Sequence, residues 1–331
     1  MGTTALWIIF NLFILVMLAL DLGVFHRRVK AYSLRDAIFW SAVWTALALA
    51  FNVSMLWWYN PAHLANSPEV RRTLALEFFT GYVIERSLSF DNIFVFAVLF
   101  SYFRVEPRFQ HRVLFWGILG ALVMRGVMIW LGVELIARFE WILYVFGAFL
   151  VWTGAKMLFH KPEDIEPEKN PVLRLARKFL PITPAYEGQK FFLRHEGIWK
   201  ATPMFLVLLV VETTDVAFAL DSIPAIFAIT KDPFIIYSSN VFAILGLRAL
   251  YFLLAAILPY FRYLSAGLSI VLMFIGVKML AEKWVHISTA VSLGIVGGVL
   301  AAAVVASLAA AKAEKRALRK AKAVEDRPTE G

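Results

Sequence analysis

Five carboxylates lie in two strongly apolar stretches of the chain, where ionised side chains are costly. The stretches are GYVIERSLSFDNIFVFAVLF and FLVLLVVETTDVAFALDSIPAIFAI, and the acids are Glu85, Asp91, Glu212, Asp215 and Asp221. The amide of Asn92 and the hydroxyl of Ser222 directly follow two of these acids. An ionisable side chain at bilayer depth costs at least about 2.5 kcal/mol even on the mildest scale. The cluster therefore predicts a functional site.

The chemistry of these side chains indicates a cation that prefers oxygen ligands. Carboxylate, amide and hydroxyl oxygens suit Mg²⁺, Ca²⁺ and Mn²⁺. The chain has no cysteine and its six histidines fall in loops or at span ends. Zinc, copper and nickel ligands are therefore lacking at depth, and thiol redox chemistry is excluded for this chain alone. Without a cation the carboxylates would repel one another and keep protons, so exchange of metal for protons is physically natural. No bound organic cofactor is expected.

Helical geometry indicates how the acids are arranged. At about 100° per residue, Glu85 and Asn92 share a helix face, and Asp215 and Ser222 share another. Depth estimates for two oppositely running spans predict two carboxylate levels: Asp91 with Glu212 and Asp215, and Glu85 with Asp221. An error of three residues in the span limits would merge the two levels into one site.

Pro224 is predicted to bend the second acidic span. Proline lacks an amide hydrogen and crowds the carbonyl four residues back, so the backbone carbonyl of Leu220 would lose its partner and become a possible cation ligand. A kink that serves only helix packing is about equally consistent with a lone proline.

Three arginines are the competing charges within the spans: Arg86, Arg125 and Arg248. The expectation is that they balance carboxylates structurally rather than bind substrate. If they clustered away from the acids, an anion path would become credible.

Composition predicts an all-α polytopic membrane protein. The chain is 60% hydrophobic and 17% charged, with a mean hydropathy of +0.71, whereas soluble domains have about a quarter charged residues. Apolar runs of about 20 residues are long enough to cross a bilayer core. About nine such runs are predicted, at 5–25, 37–58, 75–102, 113–136, 141–159, 203–230, 235–258, 264–281 and 286–310.

The distribution of lysine and arginine predicts the orientation. Most of the 33 basic residues fall on one side if the N-terminus is outside and the C-terminus inside, as the positive-inside rule requires. The net charge of +9 is then explained by inner loops that face anionic lipid. Nucleic acid is not an expected partner. The expected location is a bacterial inner (plasma) membrane, which the charge distribution alone does not establish.

Weak internal similarity predicts an inverted three-helix repeat. Val83-Ile84-Glu85 recurs as Val210-Val211-Glu212 at an offset of 127, and two further short matches follow in order. An odd number of spans per repeat makes the second copy cross in the opposite sense, with the site between the copies. The predicted segments are two leading helices (1–74), repeat 1 (75–159), a cytoplasmic loop (160–202), repeat 2 (203–281), a final helix (282–311) and a basic cytoplasmic tail (312–331).

The inner loop divides the chain between the two predicted repeats. Its segment PVLRLARKFLP has the pattern of a short amphipathic helix that lies on the inner membrane surface. A basic connector between the halves is at least as consistent with this segment as a regulatory element.

Several strings resemble the TerC family, most closely its Alx branch of manganese exporters. They are ALDLGVFHR, EFFTGYVIERSLSFDNIFVF, QHRVLFWGILGALVMRG and ETTDVAFALDSIPAIFAIT, within about residues 15–285. The resemblance implies inverted repeats like those of LysE-type transporters, and an association with manganese efflux, metalation of exported proteins and tellurite resistance. The matching motif residues are Glu85, Asp91, Asn92, Glu212, Asp215, Asp221 and Ser222.

Three functions are consistent with these residues. The leading one is export of Mn²⁺, with Ca²⁺ or Mg²⁺ as less favoured ions. The second is a membrane protein that does not transport but partners the secretion machinery or supports tellurite tolerance. The third is an intramembrane aspartyl protease that uses Asp91 and Asp221, which is weakest because neither lies in a Gly-x-Gly-Asp string. The oligomeric state is not predicted.

Overall fold

The protein is predominantly helical, as expected. The computed structural model describes residues 3–23, 34–61, 64, 67–159, 170–186, 188–195, 198–257 and 263–325. Its helices are α1 Thr3–Gly23, α2 Leu34–Trp58, α3 Pro68–Tyr102, α4 Pro107–Arg138, α5 Ile142–Phe159, α6 Pro171–Phe179, α7 Pro203–Phe227, α8 Pro233–Leu245, α9 Leu247–Ile257, α10 Leu264–Ala281 and α11 Thr289–Glu325. Between α6 and α7, strands β1 Phe192–His195 and β2 Ile198–Ala201 form an antiparallel hairpin that was not predicted.

Length and composition confirm a polytopic membrane protein. Among the described residues, six helices are long and apolar enough to cross a bilayer, namely α2, α4, α5, α7, α10 and the Thr289–Ala313 part of α11. The pair α8 and α9, bent by 45°, would provide a seventh span. The two remaining predicted spans coincide with α1, whose apolar part is short, and with the long charged helix α3. The count of nine therefore stays a prediction.

Proline at the first helical position starts five of the helices: α3, α4, α6, α7 and α8. The first amide of a helix has no internal partner, so proline is tolerated there and its fixed φ favours the turn. Ser67, Asn170 and Asp232 precede three of these prolines, and their side chains accept hydrogen bonds from the first free amides. The sequence thus fixes the starts of these helices locally.

The core is formed by helix pairs from different parts of the chain. Helix α5 packs along α10, α3 packs against α8, and α4 packs against α7. The α5–α10 pair is close because glycines lie in the interface. A Cβ atom at Gly276 would lie 2.6 Å from the carbonyl oxygen of Gly147, and one at Gly154 would lie 2.7 Å from that of Ser269.

Two span predictions differ from the structure. Helix α7 continues through Pro224 to Phe227, so it is not interrupted at the proline. The interruption lies instead at Gly246, between α8 and α9, within the predicted span 235–258. The break coincides with a tertiary contact, because the guanidinium of Arg86 lies against Gly246 and donates to the carbonyl of Ala243.

The segment before α7 packs against the bundle. Helix α6 buries Leu173 and Ala176, and the Asn170 amide at its start donates to the Thr213 hydroxyl over 2.9 Å. Thr213 lies ten residues into α7, so α6 packs against α7, and its predicted place on the inner membrane surface stays a prediction. Its exposed residues include Leu175 and Phe179. The predicted loop residues 160–169 lie outside the described part of the chain.

The rest of this segment contacts the connection between α3 and α4. The Tyr186 hydroxyl donates to the carbonyl of Phe103 over 2.7 Å. Burial raises the pKa of Tyr186 to about 12, so the hydroxyl keeps its proton at neutral pH and remains a donor. Arg112 donates to the Gln189 side chain over 3.4 Å and stacks on Phe191. Residues 170–202 thus cover one end of the bundle.

Candidate metal centre

Arg125 of α4 is the centre of the buried polar cluster. Its side chain is 2% exposed, and its guanidinium pairs with the carboxylates of Glu85 and Asp215. The contact with Asp215 is bidentate, with Nη2–Oδ1 at 3.1 Å and Nε–Oδ2 at 3.3 Å. Nη1 also donates to Asn240 Oδ1 over 2.9 Å and to Ser222 Oγ over 3.4 Å.

Four helices supply this cluster. Glu85 belongs to α3, Asp215 and Ser222 to α7, and Asn240 to α8, and each of these side chains is buried. The Glu85 oxygen Oε2 is buried without a hydrogen-bond partner among the described residues. Buried charges of this kind persist when they are paired and hydrogen-bonded. One arginine faces two carboxylates, so these three groups carry one net negative charge.

The structure pairs the acids differently from the predicted two levels. Glu85 meets Asp215 through Arg125, whereas the prediction placed Glu85 with Asp221. The sequence contains a register that agrees with this contact. Glu85 and Asp215 are 130 residues apart, and the same offset relates Asp91-Asn92 to Asp221-Ser222. The offset of 127 had instead aligned Glu85 with Glu212.

Glu212 lies on the α6 side of the cluster. Its half-buried carboxylate packs directly against the α4 backbone at Gly120, where a Cβ atom would overlap the carboxylate oxygens. Glu212 also lies within electrostatic range of Asp215. A cavity of about 10 Å³ reaches Asp215 between α3, α4, α7 and α9, and its other lining residues are apolar or glycine. A cavity of this size is at the lower limit for holding one water molecule.

Asp221 lies on the other side of the cluster. It is half-buried beside Thr153 of α5 and within electrostatic range of Lys156. Asn92 is buried in α3, but the side chain of Asp91 lies outside the described part of the chain. The Leu220 side chain is exposed, and its carbonyl as a ligand remains an untested prediction.

The two other arginines of the spans have different partners. Arg86 donates to the Ala243 carbonyl over 3.1 Å. Arg248 is buried, with Nη1 at 3.0 Å from Nε2 of His111. Arg125 therefore contacts two acids, whereas the contact of Arg86 is with a backbone carbonyl. The charge-balancing role of the three arginines stays a prediction.

A family model matches most of the chain, including three of the four strings that resembled a known family. Residues 70–315 match the integral membrane protein TerC family. The chain belongs to this family. The matched range contains both acidic helices and Arg125.

Named relatives cover this TerC chain almost completely. It is 50% identical over 301 residues to a protein of Escherichia coli with the name "Putative membrane-bound redox modulator Alx", covering 90% of this chain and 92% of that one. It is 48% identical over 307 residues to an uncharacterised membrane protein of Myxococcus xanthus, covering 93% of each. An uncharacterised membrane protein of Rickettsia bellii is 39% identical over 287 residues, covering 87% and 91%. No solved structure matches the chain.

Sequence reasoning missed Asn240, which contributes an oxygen to the cluster of this TerC protein. A signal was present, because Ser238, Ser239 and Asn240 form a polar run in an apolar helix, and all three are fully buried. A second polar group at one end of the bundle was also missed. There Thr230 donates to Glu77 over 2.6 Å, and the Tyr59 hydroxyl contacts both Asp232 oxygens.

The described acidic side chains of this TerC protein do not converge on a single site. Within the described ranges, no group of three or more His, Cys, Asp or Glu side chains is close enough to hold a metal ion. The donors are nevertheless of one chemical kind, because carboxylate, amide and hydroxyl oxygens converge on Arg125. Such oxygens fit Mn²⁺, Mg²⁺ or Ca²⁺ better than zinc or copper.

Proposed function

We propose that this TerC protein is a secondary transporter that exports a divalent cation, with Mn²⁺ as its substrate and protons as the exchanged ion. The observation that carries the proposal is the buried group of Glu85 and Asp215, which two helices bring together inside an apolar bundle. Intramembrane acids that face a bundle interior are typical of ion pathways and proton relays.

The acids of α7 support a path rather than a closed site. Glu212 and Asp221 are nine residues apart, which is about 14 Å along a helix at 1.5 Å per residue. Asp215 lies between them and is buried, whereas the two outer acids are half-buried. At about 100° per residue the two outer acids point to opposite sides of the continuous helix α7, Glu212 toward α4 and Asp221 toward α5. A cation that passed around α7 would meet carboxylate oxygen on each side of the central cluster.

The choice of Mn²⁺ rests on two arguments. The oxygen donors favour hard divalent cations as a class, and the resemblance to the Alx branch favours Mn²⁺ over Ca²⁺ and Mg²⁺. Protons are a suitable counter-ion because carboxylates that lose a cation at bilayer depth are stabilised by protonation.

Helix packing supports the inverted repeat. If α3, α4 and α5 correspond to α7, the α8–α9 pair and α10, a twofold axis exchanges the α3–α8 contact with the α4–α7 contact. The same axis maps the α5–α10 contact onto itself. At the offset of 122 residues, Gly147 corresponds to Ser269 and Gly154 corresponds to Gly276. The axis therefore exchanges the Gly147–Gly276 contact with the Gly154–Ser269 contact. Such repeats place the substrate site at their interface.

Flux through purified protein in sealed vesicles tests the proposal. We expect Mn²⁺ transport that depends on a proton gradient, with Asp221→Asn and Asp91→Asn lowering the rate at least tenfold because each removes a charged ligand. The matched control is Glu134→Gln, which changes an exposed acid that pairs with Arg138 on the surface of α4. Equal flux in the wild type and both Asp variants, all folded, would contradict the mechanism.

A role without transport is the second candidate. Relatives carry a name that describes a membrane-bound redox modulator, and the sequence suggested a partner of protein secretion or tellurite tolerance. This chain has no cysteine, so a redox role of its own would not use thiols. Absence of Mn²⁺, Ca²⁺ and Mg²⁺ flux in sealed vesicles would favour this candidate.

A further inference from the structure

The guanidinium of Arg125 occupies a position that suits a bound cation. Five oxygens converge on it, two from Asp215 and one each from Glu85, Ser222 and Asn240. They come from α3, α7 and α8, whereas Arg125 itself comes from α4. These are the donor types that a hard divalent cation uses, so the structure shows an oxygen cage around an arginine.

We propose that Arg125 is an intramolecular competitor of the transported cation. In this conformation it neutralises Glu85 and Asp215, and it leaves them when a divalent cation binds to their oxygens. The inference rests on the proposed transport function and adds a regulatory step to the same site.

Electrostatics explains why the guanidinium of Arg125 and the divalent cation would replace each other. Glu85 and Asp215 are almost fully buried, and a buried carboxylate without a positive partner is strongly destabilising. If Arg125 moves in as the ion leaves, the carboxylates of Glu85 and Asp215 are never buried without a positive partner. With Arg125 in place the two acids keep one net negative charge, so the pair still attracts a cation.

One atom of the cage is already free to act as a ligand. Glu85 Oε2 has no hydrogen-bond partner among the described residues, although it is buried. A buried oxygen without a partner is costly. Contact with an incoming cation would satisfy it, which gives the ion a first ligand before Arg125 has left.

The position of Arg125 along the path also fits competition. It binds Asp215, which lies between Glu212 and Asp221 on α7. While the guanidinium spans the Glu85–Asp215 pair, the two outer acids are separated by a fixed positive charge. A divalent cation at either outer acid would reach the central oxygens fully only when Arg125 moves aside.

Arg125→Lys tests the competition directly. Lysine keeps the charge but cannot form the bidentate contact with Asp215, so its hold on the carboxylates is weaker. We expect Mn²⁺ to bind purified Arg125→Lys about tenfold more tightly than wild type, measured by titration calorimetry in detergent. The control is Arg138→Lys, the same exchange at an exposed ion pair of α4, which should leave the dissociation constant unchanged.

Each outcome of this titration decides the proposal. Weaker or unchanged Mn²⁺ binding by folded Arg125→Lys, with a wild type that binds and transports Mn²⁺, would overturn competition and leave the transport function intact. A wild type that neither binds nor transports Mn²⁺ would instead overturn the function and the inference together.

A second measurement needs no variant, in case the lysine variant does not fold. Wild-type protein is treated with an arginine-selective dicarbonyl reagent with and without Mn²⁺, and modification of the peptide that contains Arg125 is quantified by mass spectrometry. We expect Mn²⁺ to increase modification of Arg125 severalfold because the ion releases the side chain. Unchanged or decreased modification at saturating Mn²⁺ would contradict the proposal.

Discussion

Gly120 determines where the Glu212 carboxylate can lie. A Cβ atom at this position would overlap the carboxylate oxygens, which are the mobile end of a long side chain. Gly120→Ala should therefore displace the carboxylate while the helix pair stays intact. We expect roughly tenfold slower Mn²⁺ export from this displacement, with little change in the unfolding temperature. Flux in vesicles and thermal unfolding in detergent measure the two effects.

Gly297→Ala is the matched control for this change. Gly297 lies in α11, and a Cβ atom there would meet nothing within 4 Å. Its flux should equal that of the wild type. If Gly120→Ala also transported at the wild-type rate, the position of the Glu212 carboxylate would not matter for export.

At the scale of residues, charged groups were predictable and their contacts were not. The carboxylates and Arg125 are easily recognised in an apolar sequence because a charged side chain within a membrane span is costly and is usually functional. Asn240 carries no charge and was missed, although its Oδ1 accepts a hydrogen bond from Arg125, as the Ser222 hydroxyl oxygen does. The Glu85–Asp215 contact corresponds to a repeat offset of 130 residues rather than 127. The sequence did not decide between the two offsets, because only the packed helices show which acids meet.

The α5–α10 pair is the most sensitive element interface to small changes. A Cβ atom at Gly276 would lie 2.6 Å from the Gly147 carbonyl oxygen and 2.8 Å from the Val151 nitrogen, and backbone atoms cannot move aside cheaply. We expect Gly276→Ala to destabilise the protein by about 1–3 kcal/mol through overpacking. A lower unfolding temperature in detergent is the measurement.

Gly294→Ala provides the comparison for this interface. It makes the same exchange in α11, where a Cβ atom has open space. Its unfolding temperature should not fall, because alanine is the better helix former. Equal unfolding temperatures for the two variants would show that the helices separate easily at Gly276.

At the scale of elements, hydropathy located the helices but could not locate the break between α8 and α9. Gly246 is a weak local signal, and the break depends on Arg86, which is distant in sequence and supplies a donor to the end of α8. Pro224 is a strong local signal, yet α7 continues through it for three more residues. The position of α6 beside α7 likewise depends on the tertiary contact between Asn170 and Thr213.

At the scale of the whole molecule, the proposed orientation fixes the order in which an exported ion meets the acids. With the N-terminus outside, α7 would begin at the cytoplasmic end, so an ion leaving the cell would meet Glu212 first, then the Arg125 cluster and then Asp221. The described part of segment 170–202 would lie on the cytoplasmic side. The reverse orientation would reverse this order.

Single cysteines test this orientation, because the chain has none of its own. Lys283, between α10 and α11, and Arg177, at the end of α6, are both exposed. We expect a membrane-impermeant thiol reagent to label Lys283→Cys in spheroplasts, whose inner membrane is intact, and to label Arg177→Cys only after that membrane is opened. The distribution of basic residues predicts this result. The opposite labelling pattern would contradict the predicted orientation and would reverse the order in which an exported ion meets Glu212 and Asp221.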